Sequence, residues 1–189
     1  MQNLLDDLTS GDEERAEQAV SGLIALGEDV ITPLLDLTKS EDVDSRWWAL
    51  RTLAGSPLCR TEWLISFLTT DPAPEVRQCA ALGLVVRPDE SATQPLVHAL
   101  SDEDSMVGSL AANALVKIGG AAVPSLVEVV TNGEQPARIH ALRALAEIKD
   151  HRAIPVMMRV MQEDSALLQH WAKEGLDRLG LDMVYIKSV

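Results

Sequence analysis

Aromatic residues are scarce in this chain: four Trp, one Tyr and one Phe among 189 residues. Ala and Leu are plentiful instead, a balance that suits tightly packed helices better than strands. Basic residues are also short, with 16 Lys and Arg against 29 Asp and Glu and a net charge of -13. That balance speaks against nucleic acid, whose phosphates need a basic face, and against anionic membrane surfaces. It favours a soluble chain whose partner is another protein, neutral or basic. No run of 18 apolar residues occurs, so no membrane span is expected. The opening MQNLLDDLTSGDEE is acidic and polar, unlike a secretory leader. Only two cysteines occur, Cys59 and Cys79. Without a secretory signal they are expected as free thiols, in a cytoplasmic protein. Gly-rich phosphate loops, nucleophile elbows and HExxH helices are missing as well. No catalytic residue, cofactor or metal site is therefore expected.

What the chain does have is a repeat. The segments RAEQAVSGLIALG, RWWALRTLAGS, RQCAALGLVVRPD, GSLAANALVKIGG, RIHALRALAEIKD and QHWAKEGLDRLG align at a step of 30 or 31 residues. Ala recurs at 19, 49, 80, 111, 141 and 172, and Leu four residues later at 23, 53, 84, 115, 145 and 176. A fixed period of this size marks a stacked solenoid, in which each unit buries its apolar face only against its neighbours. The expected fold is all-α, a right-handed superhelix of about six helical hairpins. No linker, charge block or low-complexity tract divides it, so residues 1–189 are expected to form a single domain.

Each unit reads as a first helix, a short acidic turn and a second helix. Four first helices carry a proline near their start, at Pro33, Pro95, Pro124 and Pro155. A missing N–H costs nothing in a first turn. The acids of the turns are placed to cap the second helices. Counting from the recurring Ala, positions -4, 0, +3, +4 and +7 fall on one helical face and predict the core. Small residues at 0 and +3 predict close helix approach.

These residues resemble the short HEAT-like repeats of the phycobilisome-lyase type. The fullest match is GluValArgGlnCysAlaAlaLeuGlyLeu at 75–84, followed by ProLeu at 95–96. The resemblance implies HEAT-like hairpins throughout the chain. It also implies a family that includes bilin lyases, deoxyhypusine hydroxylases and adaptor proteins. The hydroxylase type holds two irons with His-Glu pairs; here His98, His140, His151 and His170 are followed by Ala, Ala, Arg and Trp. No catalytic residue of the lyase type transfers to any position.

Subtracting the repeat leaves candidate binding residues. Positions -2 and +2 point away from the core, on the concave side in repeats of this kind. They place Trp47, Arg51, Gln78, Leu82, Asn113, Ile139, Arg143 and His170 on that surface. Apolar residues interleaved with Arg on an outward face suit a partner-binding groove. Trp48 is expected at the core edge, Trp63 in the core and Trp171 at the C-terminal end. Arg46, Arg77 and Arg138 are expected as ladder residues bonding acids such as Asp44, Glu75 and Asp104. His140 and His170 lie in adjacent units, with Cys79 one unit further, but the spacing is long for a metal site and the histidines are read as scattered surface residues. The segment 181–189 is expected to fold back over the last hairpin. On these grounds the expected function is a non-enzymatic scaffold gripping a protein partner through its second helices. The alternative is a bilin lyase or chaperone subunit acting on a tetrapyrrole-carrying acceptor protein.

Overall fold

The computed structural model describes residues 1–162 and 165–181, so the expected course of 181–189 falls outside it beyond Leu181. Among the described residues there are twelve α-helices and no strand. None of the helices is long and apolar enough to cross a membrane. Residues 1–87 and 88–189 form two compact units. Each holds three hairpins.

In the first unit the hairpins are α1 (Gln2–Leu8) with α2 (Glu13–Ile24), α3 (Ile31–Leu37) with α4 (Val43–Gly55), and α5 (Thr61–Thr70) with α6 (Pro74–Val86). The second helices stack on one another, α2 on α4 and α4 on α6. In the second unit the pairs are α7 (Thr93–Ala99) with α8 (Ser105–Ile118), α9 (Val123–Asn132) with α10 (Gln135–Ile148), and α11 (Ile154–Val160) with α12 (Ala166–Arg178). Here α8, α10 and α12 stack in the same way, and α7, α9 and α11 follow one another behind them.

The repeat positions explain the packing. Val76, Ala80, Gly83 and Leu84 are buried, as are Val107, Ala111, Ala114 and Leu115. Leu8, Leu23, Leu34 and Leu53 centre the core of the first unit; Trp48 packs against its edge as expected, and Trp63, expected in the core, is half-buried against it. The small residue at +3 is a close-approach position. A β-carbon on Gly83 would lie 3.0 Å from the Leu64 methyls and 3.4 Å from Ala54 Cβ. A larger side chain there would overpack the α5–α6 and α4–α6 contacts.

Acids cap the second helices where the turn supplies one at the right place. Asp12 accepts from the Arg15 N–H, Asp42 from the Ser45 N–H, and Asp104 from the N–H groups of Met106 and Val107. The starts of α6 and α10 lack such a cap and carry Pro74 and Pro136 instead. Proline removes one orphan donor outright, so less capping is needed.

One ladder arginine, Arg46, departs from expectation in its partner. Arg46 forms a fork with Asp71, Nε to Oδ2 at 3.0 Å and Nη2 to Oδ1 at 3.1 Å, rather than with Asp44. Its Nη1 also donates to the carbonyls of Ser40 and Glu41, each at 3.1 Å. Arg77 donates to the carbonyls of Asp71 and Pro72, and Arg138 to that of Val130. A guanidinium has five donors, so one arginine can close its own turn and reach the turn of the next hairpin.

Candidate functional site

The eight candidate residues fall into two sets, one on each unit. In the first unit, Trp47 and Arg51 lie on α4, and Gln78 and Leu82 on α6. Helical spacing of four puts each pair on one face. Leu82 is 51% exposed and the neighbouring core positions are buried, while Trp47, Arg51 and Gln78 are half-buried. Val86, four residues further on, is 71% exposed and extends the apolar stripe. It belongs to the same helical row as Gln78 and Leu82, two turns from Gln78, and continuing that row would have found it.

Arg51 is not a free hot spot. It reaches back across one repeat to Glu17 on α2, with Nε to Oε2 at 3.2 Å and Nη2 to Oε1 at 2.6 Å. Its guanidinium carbon also lies 5.6 Å from the ring centre of Trp47 and 5.8 Å from that of Trp48. The two indoles meet edge to face at 4.8 Å and 88°. Each ring contact of this kind adds about 0.5–1 kcal/mol at a partly exposed site. The result is a braced cluster of Glu17, Trp47, Trp48 and Arg51. Glu17 occupies the repeat position of Trp47 one unit earlier, so the register already pointed to it.

In the second unit, Asn113 lies on α8, Ile139 and Arg143 on α10, and His170 on α12. Arg143 copies the gesture of Arg51. Its Nη2 donates to the Ser109 carbonyl at 3.0 Å and to Asn113 Oδ1 at 3.1 Å. The difference is charge: Glu17 neutralises Arg51, but the acceptors of Arg143 are uncharged. Asn113 and His170 are exposed, and Ile139 is half-buried. His170 stacks edge-on with Trp171, 5.3 Å between ring centres.

His140 is tucked against α8, where a β-carbon on Gly108 would come within 3.1 Å of its Nε2. Burial first, and then the Arg143 charge, lower its pKa. Cys79 is pushed up to about 12, chiefly by burial, against the pull of Arg51. Burial raises Cys59 too. Both cysteines are free thiols and neither is an activated nucleophile. Among the described residues no group of three metal-ligating side chains converges.

The comparisons with known proteins fit this architecture. HEAT repeats match residues 61–141. A PBS lyase HEAT-like repeat matches residues 137–163. The chain is similar to the phycocyanobilin lyase subunit beta of Nostoc sp., 29% identical over 120 residues, which are 63% of this chain and 60% of that protein. It is also similar to the bilin biosynthesis protein RpcF of Synechococcus sp., 31% identical over 87 residues, or 46% of this chain and 42% of that protein. The matches thus span less than two thirds of these relatives' length. Among solved structures, the complex of CpcE and CpcF of phycocyanin lyase from Nostoc sp. shares the fold, with a TM-score of 0.58 and 23% identity. That match covers 76% of this chain and 96% of the other.

These relatives overturn the expectation of a non-enzymatic scaffold, since they are named for bilin lyase and bilin biosynthesis. The error has a physical origin. A missing catalytic constellation argues against an enzyme only if one chain must hold the whole site, and a lyase subunit need not. The chain carries HEAT repeats over residues 61–141 and a PBS lyase HEAT-like repeat over residues 137–163, on an all-α fold of repeated helical hairpins.

Proposed function

We propose that the chain is a bilin-lyase-type subunit, handling a linear tetrapyrrole on its way to an acceptor protein. The similarity to the phycocyanobilin lyase subunit beta carries this reading. The face of the second helices supports it. A tetrapyrrole offers a flat conjugated surface and carboxylate side arms. Trp47 and Leu82 in the first unit, and Ile139 in the second, offer apolar area. Arg143, whose acceptors are neutral, offers a guanidinium still able to bind a carboxylate. Gln78, Asn113 and His170 add polar contacts on the same faces, and Arg51 braces Trp47.

The name "subunit beta", and the paired CpcE and CpcF chains of the solved lyase complex, favour action with a protein partner. A cytoplasmic setting agrees with two unpaired thiols. We further infer that residues 1–189 act as one repeat domain, because the same 30- or 31-residue unit continues through both halves.

The test is a visible-absorption titration of phycocyanobilin with the purified chain, alone and with a partner subunit and acceptor. A shifted, protein-dependent band that Arg143→Ala weakens supports the reading. An unchanged bilin spectrum in every combination overturns it.

A further inference from the structure

A separate feature of the first unit lies at the edge where its hairpin turns emerge. The α1–α2 turn, the start of α2, the start of α4 and the paired indoles enclose a cleft of about 620 Å³. Leu8, Thr9, Ser10 and Gly11 line it from the first hairpin. Its acids are Glu13, Asp42 and Asp44, and its aromatic wall is Trp47 and Trp48. The volume is that of a ligand pocket, commonly about 300–1,000 Å³. The lining contains no basic residue.

The sign of the charge follows from the parts. Two helices begin at this cleft, and each contributes about half a positive charge. Three carboxylates outweigh them. Asp42 is spent on its cap, where bonds from Ser45 hold its pKa low and keep it ionised. Among the described residues, the carboxylates of Glu13 and Asp44 have neither a hydrogen bond nor an ion pair. The indole pair supplies the other half of a cation site. The pair already holds one guanidinium, that of Arg51, at 5.6 and 5.8 Å, and Arg51 is not part of the cleft lining. An aromatic wall facing free carboxylates is the arrangement that holds a desolvated cation. A tetrapyrrole carboxylate would be repelled by it.

We propose that this cleft receives an arginine or lysine side chain from an extended basic segment of a partner protein. The cleft is polar and open at a turn edge, which suits a side chain presented by another chain rather than an enclosed small molecule. The net charge of -13 steers such a segment towards the protein from any direction. The cleft adds an aromatic contact to that attraction. The inference does not depend on bilin handling.

The test uses the full chain and an acetylated, amidated peptide of Gly-Ser spacers around two arginines. Tryptophan emission reports on the cleft. The cleft variant Glu13→Gln/Asp44→Asn is compared with a charge-matched control, Glu128→Gln/Glu147→Gln, on exposed positions of the second unit. Circular dichroism checks that both remain folded. The expected result is a saturable emission change, weakened about tenfold in the cleft variant and less than about twofold in the control. Trp47→Phe should keep part of the affinity and Trp47→Ala lose most of it. Equal weakening in both charge variants would reduce the effect to general attraction and overturn the proposal, as would binding without a change in emission.

Discussion

The Arg46–Asp71 pair offers the sharpest measure of what holds neighbouring hairpins in register within the first unit. Its side chains are only 10% and 5% exposed. Arg46→Met keeps the aliphatic stem but deletes four hydrogen bonds: two to Asp71 and two to the Ser40 and Glu41 carbonyls. What remains is a carboxylate held in place by the Ala73 N–H alone at 2.9 Å. Stranding one partner of a buried pair costs about 3–5 kcal/mol. The pair lies among turns rather than deep in the stack, so about 3 kcal/mol is expected here. For a chain of this length that lowers Tm by about 6–12 °C. Adding Asp71→Asn removes the stranded charge but keeps an acceptor for Ala73. The double variant should therefore be more stable than Arg46→Met alone, by about 1–2 kcal/mol. Urea titrations of the four proteins complete the cycle. If Arg46→Met costs under about 1 kcal/mol, or if the second substitution only adds to the damage, the pair is a surface contact and the reasoning fails.

Other substitutions test the helical phase and the coupling of folding to pH. Leu82→Asp should change stability by no more than about 0.5 kcal/mol, because the side chain is half in solvent. Ile139→Asp, at a half-buried position, should cost about 1–2 kcal/mol by thermal melting. Since the pKa of His140 is lowered in the folded chain, the unfolded chain takes up its proton first as pH falls through about 6.5. Stability should therefore decline between that pH and the lower folded value, and His140→Gln should flatten the decline in melts run from pH 7.5 to 5. Trp47, Trp48 and Trp63 lie in the first unit and Trp171 in the second. If 1–189 is one domain, tryptophan emission and far-ultraviolet circular dichroism should report the same midpoint in urea. Separated midpoints would mean that the halves fold independently.

The core was legible because a repeat writes the same constraint six times. Ala80, Gly83 and Leu84 are buried for the reason that Ala111, Ala114 and Leu115 are, so one register fixes all of them. The outward face was legible by subtraction, and the exposure of Leu82 agrees with it. The partners of the polar residues were not legible. Arg46 chooses an acid 25 residues away over Asp44, two residues away, because a bidentate fork in a dry turn outweighs a contact in solvent. Arg51 reaches 34 residues back to Glu17, in a fork that lies in solvent. Sequence spacing predicts neighbours along one helix; it does not say which side chain arrives from the adjacent repeat.

That distinction also explains why function was misjudged where fold was not. Periodicity reports what every unit shares, and what they share is packing. What sets units apart is what only some of them carry, and the acidic cleft with its paired indoles lies at the first two hairpins alone. Trp47 and Trp48 stand side by side only on α4, and the free acids beside them come from the starts of two different helices, α2 and α4. Loss of Trp47 would touch both faces at once, since its ring lines the acidic cleft and stacks with Arg51 on the second-helix side. Loss of Arg143 would touch neither the cleft nor the indoles. A lyase-type subunit built this way should lose bilin response with Arg143→Ala while keeping its hold on a basic peptide. The Glu13→Gln/Asp44→Asn variant should do the reverse. Two separable losses would mean that one repeat chain carries two recognition surfaces of opposite charge preference, one for a carboxylate-bearing chromophore and one for a protein.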